Sequence, residues 1–409
     1  MSGRQHSYDI VIVGGGPAGL SAAYAAAKAT AMKSLQSKII LFEKDESIAH
    51  NVRTSGVTWI DEIQKLGIKS EYYNPIKNYS FISPSNEVTI RGARSTSCVL
   101  NVRSTYQHLA FLAAEAGAQI MVRSNVYKVN SDASGRIKGL KASTPKGDMT
   151  ISCKLIIDAT GFSSFIARRA GLANEWKRYG VGAEYECYCE NLDLETFFLM
   201  VGRKYSEAGY AWIFPVAKNR VRIGVGVGRP ESNEDPIQKL NSIIENKLSP
   251  IDRMGKIQPV ELHYGFIPNE GVRKATVFDG LLMVGDSAGQ ANPLVLEGIR
   301  YAIEFGRLAG DIGANSLSQD CTSESLLEYQ RQWKKKVQSK INSAFKIQSR
   351  WIKLSDEEWD KEIEILSEMS IEEFLDFIKA EFTTGKMVKL AMAHPQLAAR
   401  QLFNIVLKR

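Results

Sequence analysis

The stretch Asp9-Ile10-Val11-Ile12-Val13-Gly14-Gly15-Gly16-Pro17-Ala18-Gly19 decides the fold of this chain. Its first residues are apolar and mostly β-branched, which predicts a short buried strand that ends at the glycines. The alanine-rich segment over 17–29 then predicts a helix, and the apolar run over 38–42 predicts a second buried strand. A strand–helix–strand unit of this kind is typical of a parallel sheet with helices on its faces.

The glycines of this stretch have the spacing of a dinucleotide-binding turn. Gly14 supplies the tight turn, Gly16 lets a pyrophosphate approach the backbone, and Gly19 permits close packing of helix on strand. The amides and the dipole at the helix N-terminus then face the phosphates. Glu43 ends the second strand, where a carboxylate accepts hydrogen bonds from ribose hydroxyls and repels a 2′-phosphate. The adenosine half of the ligand therefore belongs to FAD or NAD rather than to NADP.

A second motif, far downstream, favours FAD over NAD. Gly285-Asp286 follows a buried apolar strand over 281–284, and Gly298-Ile299 opens the next helix. An Asp at a strand end can bond a ribityl hydroxyl, and helix amides can face the flavin carbonyls, whereas NAD has no such groups. The alternative role for the Asp is an N-cap of the segment that follows it. A third strand end, over 158–161, completes the arrangement.

Pattern and length together predict the organisation of the chain. At roughly 150 residues per domain, 409 residues correspond to two or three units. We expect an α/β protein with a Rossmann-like FAD-binding domain, discontinuous over 1–178 and 270–322, which includes catalytic-lobe strands over 60–105. An antiparallel substrate-binding lobe over 179–269 is inserted into it, because short alternating strands begin there. A C-terminal helical region over 323–409 follows.

Composition places the chain among ordinary globular proteins. Hydrophobic residues make up 44% and charged residues 24%, which excludes a disordered or collagen-like chain. The five cysteines are scattered and odd in number, and the start over 1–8 is polar, so we expect a protein of the reducing cytoplasm. The scattered histidines predict no metal site. The net charge of +7 suits an anionic lipid surface as well as nucleic acid. Because no aromatic-basic platform or motif accompanies the basic residues, we expect no nucleic-acid partner.

The predicted substrate lobe combines aromatic residues with glycines. Tyr210, Trp212 and Phe214 share one face of a strand because side chains alternate along it. In the next strand, three glycines at positions 224, 226 and 228 leave a bare strip of backbone on one face. We interpret the combination as the wall of a pocket. The alternative is a core in which the aromatic rings cover the glycines across the hairpin, and the strand register stays open.

These motifs, in this order, resemble those of p-hydroxybenzoate hydroxylase-like flavoproteins over roughly residues 8 to 310. Within that group the chain is similar to the geranylgeranyl reductase family, on the evidence of Tyr210-x-Trp212-x-Phe214-Pro215, Gly224-x-Gly226 and Gly285-Asp286-x-Ala288-Gly289-x-x-Asn292-Pro293. The resemblance implies an FAD-dependent enzyme that reduces isolated double bonds of polyprenyl chains. It also implies that Arg103 and Val126 contact FAD.

The sequence departs from the family pattern at two places near the expected flavin. Where the family usually has a cysteine before a glycine, this chain has Ser55-Gly56, which keeps the size and the hydrogen bonding of that residue but has no thiol. Where the family has a glycine-rich run before Gly298, this chain has bulky and acidic residues over 294–297. Both changes lie where the substrate would meet the flavin.

The resemblance and the residues together predict a reaction. Reduced flavin would deliver hydride to one alkene carbon, with Trp212, Phe214 and Pro293 positioning the chain. Glu297 is a candidate proton source, and its alternative role is to stabilise the helix N-terminus. An FAD-dependent monooxygenase of aromatic or quinone substrates, a flavin-containing isomerase or cyclase of isoprenoids, and a lipid-binding flavoprotein without activity stay as alternatives.

Partners follow from the same reasoning. We expect a polyprenyl lipid as substrate and an electron donor such as ferredoxin or NAD(P)H that docks at the flavin itself. The C-terminal region is segregated by charge: it is basic over 331–353, acidic over 356–381, and basic and apolar over 386–409. Either solvated faces pair with one another, or the basic helices make a peripheral contact with a membrane surface. The residues expected to hold FAD are Gly14, Gly16, Pro17, Ala18, Gly19, Glu43, Lys44, Ser55, Gly56, Arg103, Val126, Asp158, Gly161, Gly285, Asp286, Gly298 and Ile299.

Overall fold

A computed structural model describes residues 4–33, 37–381 and 384–395 of the protein. The strands are β1 (Arg4–Val13), β2 (Ile39–Phe42), β3 (Val57–Trp59), β4 (Tyr73–Ile76), β5 (Asn78–Ile82), β6 (Glu87–Arg91), β7 (Ser97–Leu100), β8 (Gln119–Met121), β9 (Asn125–Ser131), β10 (Ile137–Thr144), β11 (Gly147–Asp158), β12 (Tyr179–Cys189), β13 (Thr196–Met200), β14 (Tyr210–Ala217), β15 (Arg220–Arg229), β16 (Ile257–Pro268), β17 (Val277–Phe278) and β18 (Leu281–Met283). The helices are α1 (Pro17–Met32), α2 (Ile60–Lys65), α3 (Val102–Glu115), α4 (Phe165–Arg169), α5 (Pro236–Glu245), α6 (Ile299–Asn315), α7 (Ser323–Trp351), α8 (Asp356–Ser367), α9 (Ile371–Ile378) and α10 (Thr384–Ala393).

The first sheet is the predicted parallel one. Its parallel strands run in the order β18-β11-β1-β2-β8, with β17 antiparallel at one edge and the β9–β10 hairpin attached to β11. Helices α1, α3 and α6 cover one face of it. The small residues of α1 let α6 approach closely, since a Cβ at Gly306 or at Gly310 would lie 2.4 or 2.3 Å from a carbonyl oxygen of α1. The Rossmann-like prediction is thereby confirmed.

The second sheet has seven strands in the order β16-β12-β15-β14-β13-β5-β6. Its outer face packs against α5, and its inner face points towards the first sheet and the C-terminal helices. β5 and β6 come from the segment that we assigned to the FAD-binding domain as catalytic-lobe strands, and they extend the sheet of the inserted lobe. A small third sheet joins β3, β7 and β4. The three-unit division of the chain stays a prediction.

The C-terminal helices connect both parts of the molecule. The first half of α7 packs against α6, whereas its second half joins α8 and α9 above the inner face of the seven-stranded sheet. Basic residues of α7 form ion pairs with acidic residues elsewhere, as Lys340 does with Glu381 at 2.6 Å and Arg350 does with Glu362 of α8. The pairing of charged faces, one of the two alternatives for this region, is therefore observed. Residues 396–409 lie outside the described part, and within that part every helix is too short or too polar to cross a bilayer.

Candidate functional site

A cavity of about 1230 Å³ lies between the two large sheets and the C-terminal helices. Its wall includes the glycine turn after β1, the strand ends after β2 and β18, the inner face of the second sheet, and residues of α7 to α9. Typical pockets for one small ligand measure about 300–1,000 Å³. The cavity therefore has room for two ligands, a cofactor at one end and a substrate at the other.

The glycine turn has the geometry that the sequence predicted. Gly14 has a φ of +111°, and a Cβ there would lie 2.2 Å from the carbonyl oxygen of Ala159. A Cβ at Gly19 would lie 1.9 Å from the carbonyl oxygen of Gly14, so both glycines are required by close packing. Gly16 instead lines the cavity, and a Cβ there would meet no described atom within 4 Å. It also begins α1 without a capping side chain from the described residues, which leaves the first amides of the helix for an anion.

Glu43 is held at the end of β2 by two backbone donors. The amide of Gly15 donates to its Oε2 at 2.6 Å, and the amide of Asp45 donates to its Oε1 at 2.8 Å. The carboxylate is half-buried and lines the cavity beside Lys44. Each oxygen keeps a lone pair that can accept a hydrogen bond from a ribose hydroxyl.

The other end of the cradle is formed by Asp286 and the start of α6. The side chain of Asp286 lines the cavity, its carboxylate has no hydrogen-bond partner among the described residues, and burial raises its pKa to about 6. α6 begins after Gly298, again without a capping side chain in the described part of the chain. The cavity wall thus carries one carboxylate without a hydrogen-bond donor and two helix N-termini without capping side chains. These groups fit the polar parts of FAD: the carboxylate fits a polyol, and the helix N-termini fit a diphosphate and a flavin carbonyl.

The structure brings most of the predicted cofactor residues to the cavity wall. Those that line it are Gly14, Gly16, Pro17, Ala18, Glu43, Lys44, Ser55, Val126, Gly161, Gly285, Asp286, Gly298 and Ile299. Four others lie behind the described wall: Gly19, Gly56, Arg103 and Asp158. Their contribution is to the shape of the site rather than to its surface.

Asp158 and Arg103 have partners within the chain, and their expected contacts with FAD stay predictions. Asp158 is fully buried, and its carboxylate accepts hydrogen bonds from the amides of Thr160 and Ala167 at 3.1 and 2.9 Å, so it shapes the turn at the end of β11. The guanidinium of Arg103 lies 2.7 Å from a carboxylate oxygen of Glu261 on β16 and also donates to two carbonyls of the loop after β2. It therefore ties that loop to the second sheet and does not face the cavity.

Gly56 is required by a buried arginine. Its φ is +83°, and a Cβ there would lie 2.9 Å from Nη1 of Arg222. The same Nη1 donates to the carbonyl oxygen of Ser55 at 2.7 Å and to that of Leu100 at 3.0 Å. The serine that replaces the family's cysteine therefore stands on the cavity wall, in a loop whose backbone is held by the substrate lobe.

Trp212 lies across the inner face of the second sheet. Strand pairing aligns His263, Glu184, Gly224 and Trp212 in one row across β16, β12, β15 and β14. The indole passes over Gly224 and donates from Nε1 to Oε2 of Glu184 at 2.7 Å. Nδ1 of His263 lies 2.9 Å from Oε1 of the same carboxylate. The aromatic ring thus covers the glycine, as expected for a packed core. It also lines the cavity, as expected for a pocket wall.

Arg222 balances the carboxylates of this wall. It is 1% exposed, and its Nε lies 3.2 Å from Glu186 and 3.7 Å from Glu184. A buried carboxylate without a cationic or hydrogen-bonding partner would be strongly unfavourable. Glu184, held between Arg222 and His263, therefore fixes the orientation of the Trp212 indole.

The end of the cavity opposite the cradle is an apolar chamber, whose wall comes from the sheet and from the C-terminal helices. We define the chamber by Phe81, Phe197, Phe214, Trp351, Leu354, Trp359, Ile363, Leu366, Phe374, Phe377 and Ile378. Trp212 stands beside it, its ring 6.1 Å from that of Phe214 and inclined by only 17°. A chamber of this composition suits a branched hydrocarbon chain.

Pro293 and Glu297 both line the cavity on the loop before α6. The carboxylate of Glu297 is buried against Arg300, whose Nε lies 2.9 and 3.1 Å from its two oxygens. The pair holds the loop before α6, and the role of Glu297 as a proton source stays a prediction.

Comparison with known proteins agrees with this geometry. Residues 9–280 match the FAD dependent oxidoreductase family. A digeranylgeranylglycerophospholipid reductase of Methanocaldococcus jannaschii is 34% identical over 369 residues, which cover 88% of this chain and 91% of the relative. The chain belongs to the geranylgeranyl reductase family of FAD-dependent oxidoreductases. A second reductase of that name, from Methanothermobacter thermautotrophicus, is 29% identical and covers 86% of this chain and 90% of its own.

Solved structures show the same fold. A geranylgeranyl bacteriochlorophyll reductase-like protein from Thermoplasma acidophilum has a TM-score of 0.85 at 24% identity, covering 98% of this chain and 100% of its own. The flavin-dependent brominase Bmp2 has a TM-score of 0.68 at 17% identity, covering 91% and 93%. As a geranylgeranyl reductase family member, the protein is an FAD-dependent oxidoreductase, and FAD is its cofactor.

Sequence reasoning about this family member missed three polar residues and one hydroxyl. Glu184, Arg222 and His263 occupy inward positions of their strands, and a charged residue that alternates with glycines, as Arg222 does, was the available signal. Tyr106 of α3 also lines the cavity. Burial, and then the charge of Asp286, raise the pKa of its hydroxyl, which therefore stays protonated. Nothing in the local sequence distinguishes this tyrosine.

Proposed function

We propose that the protein reduces isolated carbon–carbon double bonds in the polyprenyl chains of lipids, the substrate class in the names of its reductase relatives. One observation carries the proposal: the polar cradle and the apolar chamber belong to the same cavity. When bound and reduced, FAD supplies the hydride for such a reaction. A lipid chain in the chamber would end at the cradle, where the flavin belongs.

The residues of the chamber supply binding and alignment. An isolated alkene offers no carbonyl or charge for an electrophilic group to polarise, so the position of the chain is the main contribution that the protein can make. Burial of a hydrocarbon chain contributes about 0.8 kcal/mol per methylene group. Trp212 and Phe214 form a flat wall whose orientation is fixed by Glu184 and Gly224. A flat, rigid wall of this kind suits the planar carbons of an alkene.

Electron delivery at the flavin and contact with a lipid surface belong to the same proposal. The glycines of β15 lie within a strand, not between a strand and a helix, so they do not offer a second nucleotide turn, and ferredoxin or NAD(P)H would act at the FAD site. On α10, the side chains of Val388 and Met392 are 52% and 78% exposed, beside exposed Lys386 and Lys389. Exposed apolar and basic groups on one helix favour a peripheral membrane contact.

Anaerobic stopped-flow spectroscopy tests the reaction directly. Dithionite-reduced protein is mixed with a digeranylgeranylglycerol phospholipid, and the flavin absorbance and the lipid mass are followed. We expect reoxidation of the flavin and two added hydrogens per reduced double bond. Unchanged spectra and mass would refute the proposal. Oxygen uptake stimulated by substrate would indicate a monooxygenase, and product of unchanged mass would indicate an isomerase.

A pair of matched variants tests whether the apolar chamber receives the chain. Phe377→Ala shortens an aromatic side chain of the chamber, and Phe111→Ala makes the same change at a 73% exposed position of α3. We expect kcat/KM to fall by about tenfold or more in the first variant, since partial loss of one pocket side chain is worth 1–3 kcal/mol. The second variant should match the wild type. Equal values for both would place the chain elsewhere.

A further inference from the structure

The loop before α6 joins the two ends of the cavity. Leu294 belongs to the same apolar cluster as the chamber residues, and Gly298 begins α6 at the cradle. Leu296 is two residues from each of them. Because consecutive Cα atoms are 3.8 Å apart, the Cα of Leu296 lies within about 8 Å of both ends.

Leu296 has an unusual backbone conformation. Its φ is +50°, in the left-handed region that L side chains other than Asn and Asp rarely adopt. The loop is held in this conformation from several sides. Asn292 and Glu297 exchange backbone hydrogen bonds at 2.8 and 3.2 Å, and the hydroxyl of Tyr210 donates to the carbonyl oxygen of Val295 at 2.8 Å. Conformations of this kind that the surroundings enforce are concentrated at ligand-binding sites.

The side chain of Leu296 reaches across to the second sheet. Its Cδ1 lies 2.9 Å from the position that a Cβ on Gly180 of β12 would take, so this glycine makes room for the leucine. Both residues line the cavity. Leu296 therefore spans the gap between the loop and the sheet, at the junction of cradle and chamber.

We propose that Leu296 is a specificity-determining residue, which narrows the passage between the apolar chamber and the flavin end of the cavity and so selects the double bond that is reduced. The inference rests on the proposed function and refines it. A prenyl chain carries a methyl branch at every isoprene unit, and a leucine side chain in a narrow passage contacts these branches. In a narrow passage the chain can therefore be held at one depth more favourably than at depths that differ by one isoprene unit, and each depth brings a different double bond to the flavin end.

Three variants separate the side chain from the backbone strain. Leu296→Ala removes the branched end of the side chain beyond Cβ and keeps an L residue in the left-handed conformation, whereas Leu296→Gly removes the whole isobutyl side chain and the strain together. Lys247→Gly is the matched control, because Lys247 has a φ of +47°, is exposed, and lies outside the cavity wall. FAD content and thermal unfolding of each holoenzyme establish that it is folded.

The first readout is a single turnover. Dithionite-reduced holoenzyme receives an excess of geranylgeranyl lipid, and tandem mass spectrometry locates the one bond that each flavin reduces. We expect wild type and K247G to give one predominant product. In L296A and L296G the ratio of predominant to minor products should fall by about tenfold or more, the scale of discrimination by one small apolar group. A wild type that reduces all bonds equally, or Leu296 variants with the wild-type ratio, would overturn the inference.

The second readout does not depend on turnover. Isothermal titration of oxidised holoenzyme with geranylgeraniol should show affinity that is weaker by about tenfold in L296A and L296G and unchanged in K247G. If the wild type reduces no prenyl chain, the proposed function fails and the selection of a double bond fails with it, and the titration then shows whether Leu296 nevertheless contacts the chain. Equal affinity in the wild type and both Leu296 variants would count against the inference.

Discussion

The packing of Trp212 over Gly224 gives the sharpest test of the site. In Gly224→Ala the added Cβ would lie 2.3 Å from Cζ2 and 2.7 Å from Nε1 of the indole, distances that atoms in proteins do not adopt. The indole is a rigid ring inside a packed wall, so it must leave its position. Its hydrogen bond to Glu184, 2.7 Å long, is then broken.

The expected cost follows from these contacts. Overpacking of a tight site costs about 1–3 kcal/mol. A hydrogen bond to a charged group contributes about 1.5–3 kcal/mol, and its loss leaves a buried carboxylate with one donor fewer. Replacing glycine by alanine in a strand stabilises the fold by about 0.5–1 kcal/mol, which offsets part of this cost. The variant should therefore lose about 2–5 kcal/mol of unfolding free energy.

Two neighbouring glycines provide graded controls for urea unfolding of the holoenzyme, followed by circular dichroism. A Cβ at Gly226 would lie 3.4 Å from the same indole, and one at Gly182 would lie 3.6 Å away, an ordinary contact. We expect Gly182→Ala to be neutral or slightly stabilising and Gly226→Ala to be intermediate. In the Trp212→Leu background the cost of Gly224→Ala should shrink by more than about 1 kcal/mol, because interacting residues are not additive. Equal midpoints for Gly224→Ala and Gly182→Ala would refute the argument.

Three further predictions concern the cofactor cradle. Because burial raises the pKa of Asp286 to about 6, the folded apoprotein binds this proton more tightly than the unfolded chain, and stability falls as pH rises from about 4 to about 6. Asp286→Asn should therefore be more stable than wild type above about pH 6, by at most about 3 kcal/mol of unfolding free energy. Urea unfolding of both apoproteins at about pH 4 and above about pH 6 measures the difference, and a difference that does not depend on pH would contradict this. Glu43→Gln should weaken FAD binding by about tenfold or more, since its carboxylate offers charge-assisted hydrogen bonds; fluorescence titration of the apoprotein measures this, and unchanged affinity would contradict it. Arg103→Ala should keep FAD affinity within about threefold in the same titration, because its guanidinium pairs with Glu261; a larger loss would restore the contact that the family resemblance implied.

The cradle could be read from the sequence because each of its parts is local. Gly14, Gly16 and Glu43 belong to one strand–helix–strand unit, and Asp286 with Gly298 belongs to a second strand end followed by a helix. In each case a few neighbouring residues determine a turn, and the turn determines which groups face the ligand. The parallel pairing of β1 with β11 and β2, which brings the parts together, follows from their continuous apolar character.

The polar wall under Trp212 could not be predicted because it depends on register. Glu184, Gly224 and His263 meet only when β12 is paired in one particular way with β15 and with β16, and a shift by one residue would turn every side chain to the opposite face. For the same reason the pairing of Arg103 with Glu261 could not be predicted, because Glu261 is far away in the chain. Without the register, Arg222 was only a charged residue among glycines.

The apolar chamber shows why substrate class is harder to derive than cofactor. One side of its wall comes from α7, α8 and α9. The sequences of these helices carry no motif, and their exposed faces are mostly charged. The apolar residues that line the chamber are those of an ordinary amphipathic helix, and only the sheet opposite determines whether that face packs fully or leaves room. At this sheet Gly182, Gly224 and Gly226 lie against the indole of Trp212, so the ring lies flat on the strands and lines the cavity beside the chamber. The wall next to the chamber thus depends on glycines in one part of the chain, whereas the chamber itself is lined by bulky residues from other parts, and neither set alone distinguishes a binding chamber from a core.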